Sequence, residues 1–294
     1  MYTISRVFSV LNEPLILKKF LTYNFLPNLI SSFKDYDNIY LITSYYEGKS
    51  LDYLREEILT EEQIKFVSAC IIQSLIYLRK EKIIHRDIMM KNIMMDNDKY
   101  FNIIDFSFSI NYVDKDNKRN SMITYDMVTP PEILNNSEYD YNSDYYRLGS
   151  VIHYLIFKKY PYMIKKENNI TDIFIDSKSI KNYTNSCIDF LNKLLISDYK
   201  KRIGFKNIQE LTSHHWFEGF NWTKLEKRMI NSPFEFLINE FNESLCTKFI
   251  IPIKYITKYK IKTKQIIYKK LIKNFDFINI LIIKKILEYN KYYY

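Results

Sequence analysis

The chain has 294 residues, of which 47% are hydrophobic and 17% aromatic, enough for one large globular domain with at most an appendage. Its three cysteines are widely spaced and show no metal-ligand pattern, which indicates a reducing compartment and excludes a disulfide scaffold. The first residues lack the apolar core of a signal peptide, and the apolar stretch 277–283 is far shorter than the roughly 20 residues that cross a bilayer. A cytoplasmic protein without a transmembrane segment is predicted.

The net charge of +9 is concentrated near the C-terminus. Residues 241–294 contain 12 lysines and three acidic residues, so the rest of the chain is close to neutral. Such a basic segment can contact anionic lipid or an acidic protein surface, or it can be a solvated face rich in lysine. Nucleic acid is not the expected partner, because no recognisable binding module accompanies the lysines and tyrosines.

In chain order, the pattern predicts three regions. Residues 1–47 begin with a short helical pattern and continue as two strands, 26–33 and 39–45, joined by a polar turn. Residues 48–235 carry amphipathic helices, predicted at 61–80, 143–157 and 185–197 from apolar residues at helical spacing. Residues 236–294 form a basic C-terminal tail whose apolar and polar residues alternate loosely before a helical pattern near the end.

The stretch 85–105 carries the clearest chemical pattern. Asp87 precedes Asn92 by five residues, and Asp105 follows an apolar run that is typical of a strand. Phosphoryl transfer from a metal-bound nucleotide needs one group that receives a hydroxyl proton and oxygen ligands that hold magnesium. These three residues have the types and spacing for those tasks.

The same residues resemble a known family. His-Arg-Asp at 85–87 with Asn92, and Asp-Phe-Ser at 105–107, resemble the catalytic loop and metal-binding turn of protein kinases. Segments 9–17, 128–132, 143–149, 194–204 and 215–234 resemble further landmarks of the AGC group of Ser/Thr kinases, most closely the 3-phosphoinositide-dependent protein kinases. The resemblance covers about residues 9–235. It implies an α+β, protein-kinase-like fold with a mainly α-helical C-lobe and an incomplete small β N-lobe, here residues 1–47.

The resemblance also implies roles for individual residues. Asp87 would orient and deprotonate the hydroxyl of a protein substrate, Asn92 and Asp105 would hold Mg²⁺, and ATP would be the nucleotide. Ser121 falls where the subfamily carries an activation-loop phosphoserine, whose phosphate would pair with a basic group such as Arg86. The remaining implied positions concern the nucleotide: Glu13 as the partner of a phosphate-binding lysine, Thr43 as gatekeeper, Ser44 and Tyr46 in the adenine-binding hinge, Ser50 near the ribose and Met94 beneath the adenine.

Two structural sets are implied as well. Glu132 and Arg202 are expected to form an ion pair in the large lobe. A hydrophobic stack that links the two lobes is expected at four positions and is anchored by Asp144: Leu17, Leu29, His85 and Phe106.

The chain departs from the family where the phosphates bind. The family covers them with a Gly-x-Gly-x-x-Gly turn, but the four glycines here are scattered and only twelve residues precede Glu13. The loop and its lysine are therefore not in this sequence. Met89 stands where the family has a lysine, Lys91 reverses an acidic position, and Ser107 replaces a glycine.

Two interpretations follow from these departures. Loss of a charged phosphate clamp typically raises a barrier by roughly 3–5 kcal/mol, so the chain as it stands should have little kinase activity. Either the coding sequence is incomplete and the whole protein is an active Ser/Thr kinase, or the chain is a pseudokinase that serves as a binding scaffold. Protein phosphorylation is the favoured family function.

Overall fold

The computed structural model describes residues 12–21, 23–34, 38–113, 128–134, 140–161, 165–166, 169–170, 174–176, 182–234, 259–260 and 277–278. Ser121 and most of the segment 236–294 lie outside these ranges. The side chains of residues 259–260 and 277–278 are not described, so only their backbone pairing is used below.

The described elements run in the following order. The helices are α1 (residues 12–17), α2 (Glu61–Lys80), α3 (Pro131–Leu134), α4 (Tyr141–Phe157), α5 (Asn185–Leu194), α6 (Gln209–Thr212) and α7 (Trp222–Glu226). The strands are β1 (Leu29–Lys34), β2 (Asn38–Thr43), β3 (Ile83–Ile84), β4 (Ile93–Met95), β5 (Phe101–Ile103), β6 (Ile110–Asn111), β7 (Lys165–Lys166), β8 (Asn169–Ile170), β9 (Tyr259–Lys260) and β10 (Phe277–Ile278). Short 3₁₀ turns cover Lys18–Phe20, Leu51–Leu54, Met90–Asn92 and His215–Phe217.

A small antiparallel sheet is built on the β1–β2 hairpin. Its strand order is β10-β1-β2-β9, so both outer strands come from the C-terminal segment. The two strands of the hairpin were predicted, although β1 begins at Leu29 rather than at residue 26. Pro27 precedes it and has no N–H for a ladder, which agrees with the later start.

The helical lobe is centred on α2 and α4. Helix α2 has the predicted bounds and begins with a capping box, in which Gln63 N donates to Thr60 Oγ1 (3.2 Å) and Thr60 N donates to Gln63 Oε1 (2.9 Å). Helix α4 starts two residues earlier than predicted, because the side chain of Asp140 accepts from Tyr141 N. Helix α5 ends at Leu194, three residues before the predicted end. A mainly helical lobe beside a small sheet confirms the predicted fold class.

The expected ion pair in the large lobe is confirmed. Arg202 donates from Nη1 and Nη2 to the two oxygens of Glu132, at 2.8 and 2.9 Å, and both side chains are buried. Ser143 Oγ also donates to Glu132 Oε1 (3.0 Å), and Arg202 Nη1 donates to the carbonyl of Asn142 (2.6 Å). The pair therefore ties α3 to α4, and its extra hydrogen bonds offset the desolvation of two buried charges.

Two findings bear on the predicted environment. Within the described ranges, no helix combines the length and the apolar character needed to cross a membrane. Cys70 and Cys187 are free and buried, and burial raises the pKa of the Cys70 thiol to about 12. A thiol of this kind is inert at neutral pH.

Gly48 joins the hairpin to the helical lobe at a place of close backbone approach. A Cβ there would collide with the carbonyl oxygen of Met95 and lie 2.8 Å from the carbonyl carbon. Next to it, Met95 N donates to the Lys49 carbonyl (3.0 Å) and Ser50 forms a β-bridge with Met94. Only a residue without a side chain lets the segment after β2 lie directly on β4.

We expect Gly48→Ala to lower the free energy of unfolding by about 1–3 kcal/mol, because either the backbone of β4 or the segment after β2 must shift. Denaturant unfolding of the purified chain measures this loss. Gly219→Asn is the control: Gly219 has φ +74° and no atom within 4 Å of an added Cβ, and Asn tolerates that conformation. Equal stability of the Gly48→Ala variant and the wild type would contradict the expectation.

Candidate active site

The segment 85–87 is held in place by one buried carboxylate. Asp144 on α4 accepts from the backbone N–H groups of His85 (2.8 Å) and Arg86 (2.9 Å). Arg86 has φ +69°, a left-handed conformation that costs a non-glycine residue about 1–3 kcal/mol. Burial raises the pKa of Asp144, while the two N–H donors and the charge of Arg147 favour its charged form. The double acceptance stabilises the strained turn just before Asp87.

The imidazole of His85 connects two parts of the site. Its Nδ1 accepts from Asp87 N (3.2 Å), so Nε2 carries the proton and donates to the carbonyl of Ile104 (3.2 Å). Burial lowers the pKa of His85, which agrees with a neutral ring. Its position therefore fixes the backbone before Asp87 relative to the backbone before Asp105.

Asp87 and Asn92 are in direct contact. Asn92 Nδ2 donates to Asp87 Oδ2 (2.7 Å) and to the Asp87 carbonyl (2.9 Å), and both residues are buried. Because the Asn92 Nδ2 atom donates two hydrogen bonds to Asp87, the Asn92 Oδ1 atom is the one available as a metal ligand. The Asn92 carbonyl accepts from Ile104 N (2.9 Å), which places the end of β5 beside it.

Asp105 lies two residues after β5 and is exposed. Its backbone has φ +63°, and its Oδ1 accepts from Ser107 N (3.2 Å) and Ser107 Oγ (2.6 Å). The hydrogen bond from Ile104 N to the Asn92 carbonyl (2.9 Å) places Asp105, the next residue, beside the loop that carries Asp87 and Asn92. The structure thus brings Asp87, Asn92 and Asp105 to one place, and their chemical roles remain predictions.

Four charged or polar groups surround the carboxyl of Asp87. Burial is the largest influence and raises its pKa. Arg147, Lys91 and the hydrogen bond from Asn92 act in the opposite direction, and Asp105 adds to the rise. The carboxyl is thus held in a poorly solvated position where neighbouring cations limit the cost of its charge.

The predicted hydrophobic stack is buried. Leu17, Leu29 and Phe106 belong to one core and are at most 2% exposed. The Phe106 ring meets the His85 ring edge-on, with centroids 4.7 Å apart, and also packs on Phe20 at 4.8 Å. Phe106 therefore joins the helix and turn at residues 12–20 to the loop that begins at His85.

The residues predicted around the nucleotide lie on two segments. Thr43 ends β2, and the next residue, Ser44, donates from N to the Asn28 carbonyl (2.9 Å) and accepts from Asn28 N at Oγ (3.1 Å). Ser50 pairs with Met94 on β4, so these two predicted ribose and adenine positions are adjacent. Tyr46 lies between Ser44 and Ser50 in the sequence. Its side chain is half-buried, and burial raises its pKa.

Helix α1 is attached to the chain that follows Asp105. Asn12 Nδ2 donates to the carbonyl of Ser109 (2.9 Å), and Glu13, one residue later, is buried. Lys19, a cation close in sequence to Glu13, directs its Nζ to the Glu81 carbonyl (3.4 Å). This contact gives Lys19 a structural partner on the helical lobe.

Two residues that sequence reasoning missed affect the site. Arg147 is completely buried on α4, one helical turn after Asp144 and therefore on the same face. Burial raises the pKa values of Asp87 and Asp144, and the charge of Arg147 opposes this rise. The three-residue spacing between Asp144 and Arg147 was the sequence signal that could have identified Arg147. The second is Ser107, which the sequence identified only as a replaced glycine, although its hydroxyl holds Asp105.

A second polar cluster, Asp189 with His214 and His215, has potential ligand atoms within 4.8 Å of one another. Lys193 Nζ already lies 2.7 Å from Asp189 Oδ2. His214 Nδ1 accepts from Trp216 N (3.2 Å), so its Nε2 carries the proton directed at Asp189 (3.0 Å). Protein donors thus satisfy this cluster, and we interpret it as structural.

The residues at the loop fit magnesium but not a complete phosphate site. Mg²⁺ prefers oxygen ligands, which Asn92 Oδ1 and the Asp105 carboxylate can supply. The described residues contain no glycine-rich turn of the kind that would cover the phosphates of a nucleotide. The fit therefore covers the metal-binding half of a nucleotide site.

Comparisons with known proteins agree with this arrangement. The family model for the protein kinase domain matches residues 4–217. Serine/threonine-protein kinase Sgk1 of Rattus norvegicus is 28% identical over 229 residues, which are 76% of this chain and 53% of that protein. The Sgk1 proteins of Xenopus tropicalis (29% over 230 residues, 76% and 55%) and Homo sapiens (28% over 230 residues, 76% and 53%) give similar values.

The chain spans about half the length of the curated relatives it matches. These relatives support the AGC group, while the predicted likeness to 3-phosphoinositide-dependent protein kinases within that group stays a prediction. With a family match over residues 4–217 and an Asp87–Asn92 pair on a loop anchored by Asp144, the protein belongs to the protein kinase domain family.

Proposed function

We propose that this protein binds magnesium-ATP between the β1–β2 hairpin and the catalytic loop and transfers the γ-phosphoryl group to a Ser or Thr hydroxyl of a protein substrate. The observation that carries the proposal is the 2.7 Å contact between Asn92 Nδ2 and Asp87 Oδ2 on a loop fixed by Asp144. It leaves one carboxylate oxygen of Asp87 for a substrate hydroxyl, and the amide oxygen of Asn92 would be available to hold a metal ion.

Each residue has a defined task in this proposal. Asp87 orients the substrate hydroxyl and receives its proton as the new P–O bond forms and the bond to the leaving ADP oxygen breaks. Asn92 Oδ1 and the free oxygen of Asp105 hold Mg²⁺, which neutralises phosphate charge when it is bound. Ser44 and Tyr46 present backbone groups to the adenine, and Thr43, Ser50 and Met94 shape its pocket.

The transfer is expected to be slow. Met89, half-buried and two residues after Asp87, supplies no charge to the transferred phosphoryl group. A missing electrostatic contact of this kind typically reduces kcat by a factor of about 10²–10³.

A pseudokinase scaffold is the second candidate. The observation in its favour is the engagement of Asp105 Oδ1 by two donors of Ser107, which compete with a metal for that oxygen. In this case the fold is a platform for an acidic protein partner or an anionic lipid surface that meets the basic C-terminal segment. The two candidates differ in whether phosphoryl transfer follows nucleotide binding.

The function is tested by combining nucleotide binding with single-turnover transfer. Magnesium-ATP at about 100 times Kd should raise the melting temperature by roughly 5 °C, because it binds only the folded chain. Asp105→Ala should abolish this rise, since it removes a metal ligand. Asp87→Asn should retain it but lose transfer to a Ser/Thr peptide library.

Transfer by the wild type that Asp87→Asn abolishes supports the kinase. Nucleotide binding with no transfer by the wild type supports the scaffold. A wild-type chain that neither binds magnesium-ATP nor transfers phosphate would refute the proposed kinase.

Met89→Lys should raise the single-turnover rate by about 10- to 100-fold, because it places a cation near the transferred phosphoryl group. Met89→Gln is the matched control, with a similar length and no charge, and should leave the rate unchanged. Radiolabelled phosphate transfer under saturating nucleotide measures both. Equal rates for the two variants would show that position 89 does not face the phosphates.

Burial of Asp87 makes stability depend on pH in a defined direction. Its raised pKa means that the folded chain binds this proton more tightly than the unfolded chain. The corresponding stability is fully present at low pH and is lost as pH rises through the folded-state pKa. Asp87→Asn avoids the buried charge and can still accept from Asn92, so it should be more stable than the wild type at about pH 7, by on the order of 1 kcal/mol.

This advantage should shrink as the pH falls, because the folded wild-type chain takes up the proton at a higher pH than the unfolded chain does. Urea unfolding at several pH values measures the difference. Asp105→Asn, at an exposed position, is the control and should stay within about 0.5 kcal/mol of the wild type. A stability difference for Asp87→Asn that grows as the pH falls would contradict the assigned direction.

A further inference from the structure

The two edges of the β1–β2 hairpin are both paired with strands from the far end of the chain. On one side, Ser31 and Ser32 of β1 pair with Ile278 and Phe277 of β10. On the other side, Asn38 and Ile39 of β2 pair with Lys260 and Tyr259 of β9. Both pairings are antiparallel, and residues 261–276 connect the two outer strands along the chain.

A hairpin of this size needs such support. An isolated two-stranded hairpin is at best marginally stable in water, and each free edge exposes unpaired N–H and C=O groups to other chains. The part of the hairpin that faces solvent includes Phe33, which is 38% exposed and stacks on Tyr40 with ring centroids 4.8 Å apart. Adding one strand on each side doubles the sheet from two strands to four.

We propose that residues 259–260 and 277–278 act as strand donors that complete the small sheet within the same chain, so that these two strands are not available as ligands for a lipid surface or a partner protein. The occupants of the two edges are residues 259–260 and 277–278 of the chain itself. The proposal concerns the sheet and does not depend on catalytic activity.

The pairing has a consequence for the candidate active site. The hairpin positions Ser44 through two hydrogen bonds with Asn28, and Gly48 carries the following segment onto β4. Stabilising the hairpin from its edges therefore also stabilises the hinge residues. A lipid surface or a partner that captured residues 259–278 would have to compete with the two ladders, which would couple tail binding to the order of the hinge.

Cysteine cross-linking tests the register directly. Directly opposed antiparallel residues have Cα atoms about 4.5–5.5 Å apart, within the range of a disulfide. We expect Ser31→Cys with Ile278→Cys, or Ser32→Cys with Phe277→Cys, to form an intramolecular disulfide under mild oxidation. Both pairs are needed, because adjacent pairs alternate between the wider and the closer spacing.

The matched control is Ser31→Cys with Tyr259→Cys. Strands β1 and β9 are separated by β2, and Tyr259 is level with Lys34, three residues along β1 from Ser31. The two positions are therefore roughly 14 Å apart, beyond the reach of a disulfide. All variants carry Cys246→Ser to avoid exchange, and mass spectrometry of proteolytic fragments identifies the bond. Failure of both in-register pairs, equal cross-linking of the control, or bonds only between two copies of the chain would overturn the proposal.

Hydrogen exchange provides a second test that does not need new disulfides. Replacing both residues of β9, as Tyr259→Pro with Lys260→Pro, removes every N–H that the strand could donate to β2. Exchange in residues 38–43 should become at least tenfold faster while α4 stays protected. The control, Tyr259→Val with Lys260→Thr, keeps the backbone donors and should exchange like the wild type. Unchanged exchange in the proline variant would overturn the pairing of β9.

The same samples separate the competing occupants. Vesicles that contain phosphatidylserine should leave exchange in the hairpin unchanged if the tail stays paired, which supports the proposal. The proposal fails if vesicles bind the wild type and speed exchange in residues 29–34 and 38–43 to the rate of the proline variant. That result would mean that residues 259–260 and 277–278 leave the sheet to bind the membrane.

Discussion

The buried carboxylate of Asp144 is the constraint on which the site depends. It accepts two backbone N–H groups and so holds Arg86 in a left-handed conformation that an arginine rarely adopts. The turn brings the His85 ring between the backbone of Asp87 and that of Ile104, and the Asn92 amide closes the loop onto Asp87. A carboxylate on a long helix thereby fixes a loop that has little regular structure of its own.

The surroundings of this loop show how a charged site is kept in a hydrophobic lobe. Asp87, Asp144 and Arg147 are all at most 3% exposed, and the cation moderates the cost of burying two acids. The Glu132–Arg202 pair follows the same rule with a full set of hydrogen bonds. Breaking such groups singly is destabilising, because the remaining charge is left without compensation in a poorly solvated interior. The geometry of the loop and the stability of the lobe therefore rest on the same residues.

The two halves of the molecule differ in how they are stabilised. The helical lobe is built from long helices with local caps, such as the Thr60–Gln63 box at the start of α2. The small sheet instead depends on strands more than 200 residues away along the chain. Such non-local pairing requires the closure of a long loop, which costs conformational entropy. The sheet therefore gains less stability from local interactions than the helical lobe does. Our proposal for the C-terminal segment follows from this difference.

The sequence by itself determined the elements whose signals are local. Apolar residues at helical spacing placed α2 at residues 61–80, and the motif at 85–105 identified Asp87, Asn92 and Asp105 as the candidate site, which the structure brings together. The tail showed a loose alternation, but its pairing partners could not be read from it, because any exposed strand edge offers the same backbone groups. Arg147 was missed since a charged residue in a helix is normally solvated, and only the packing of α4 under the loop makes it buried. Local periodicity and spacing are properties of the chain, whereas edge pairing and burial of a charge are decided by what the folded molecule places next to them.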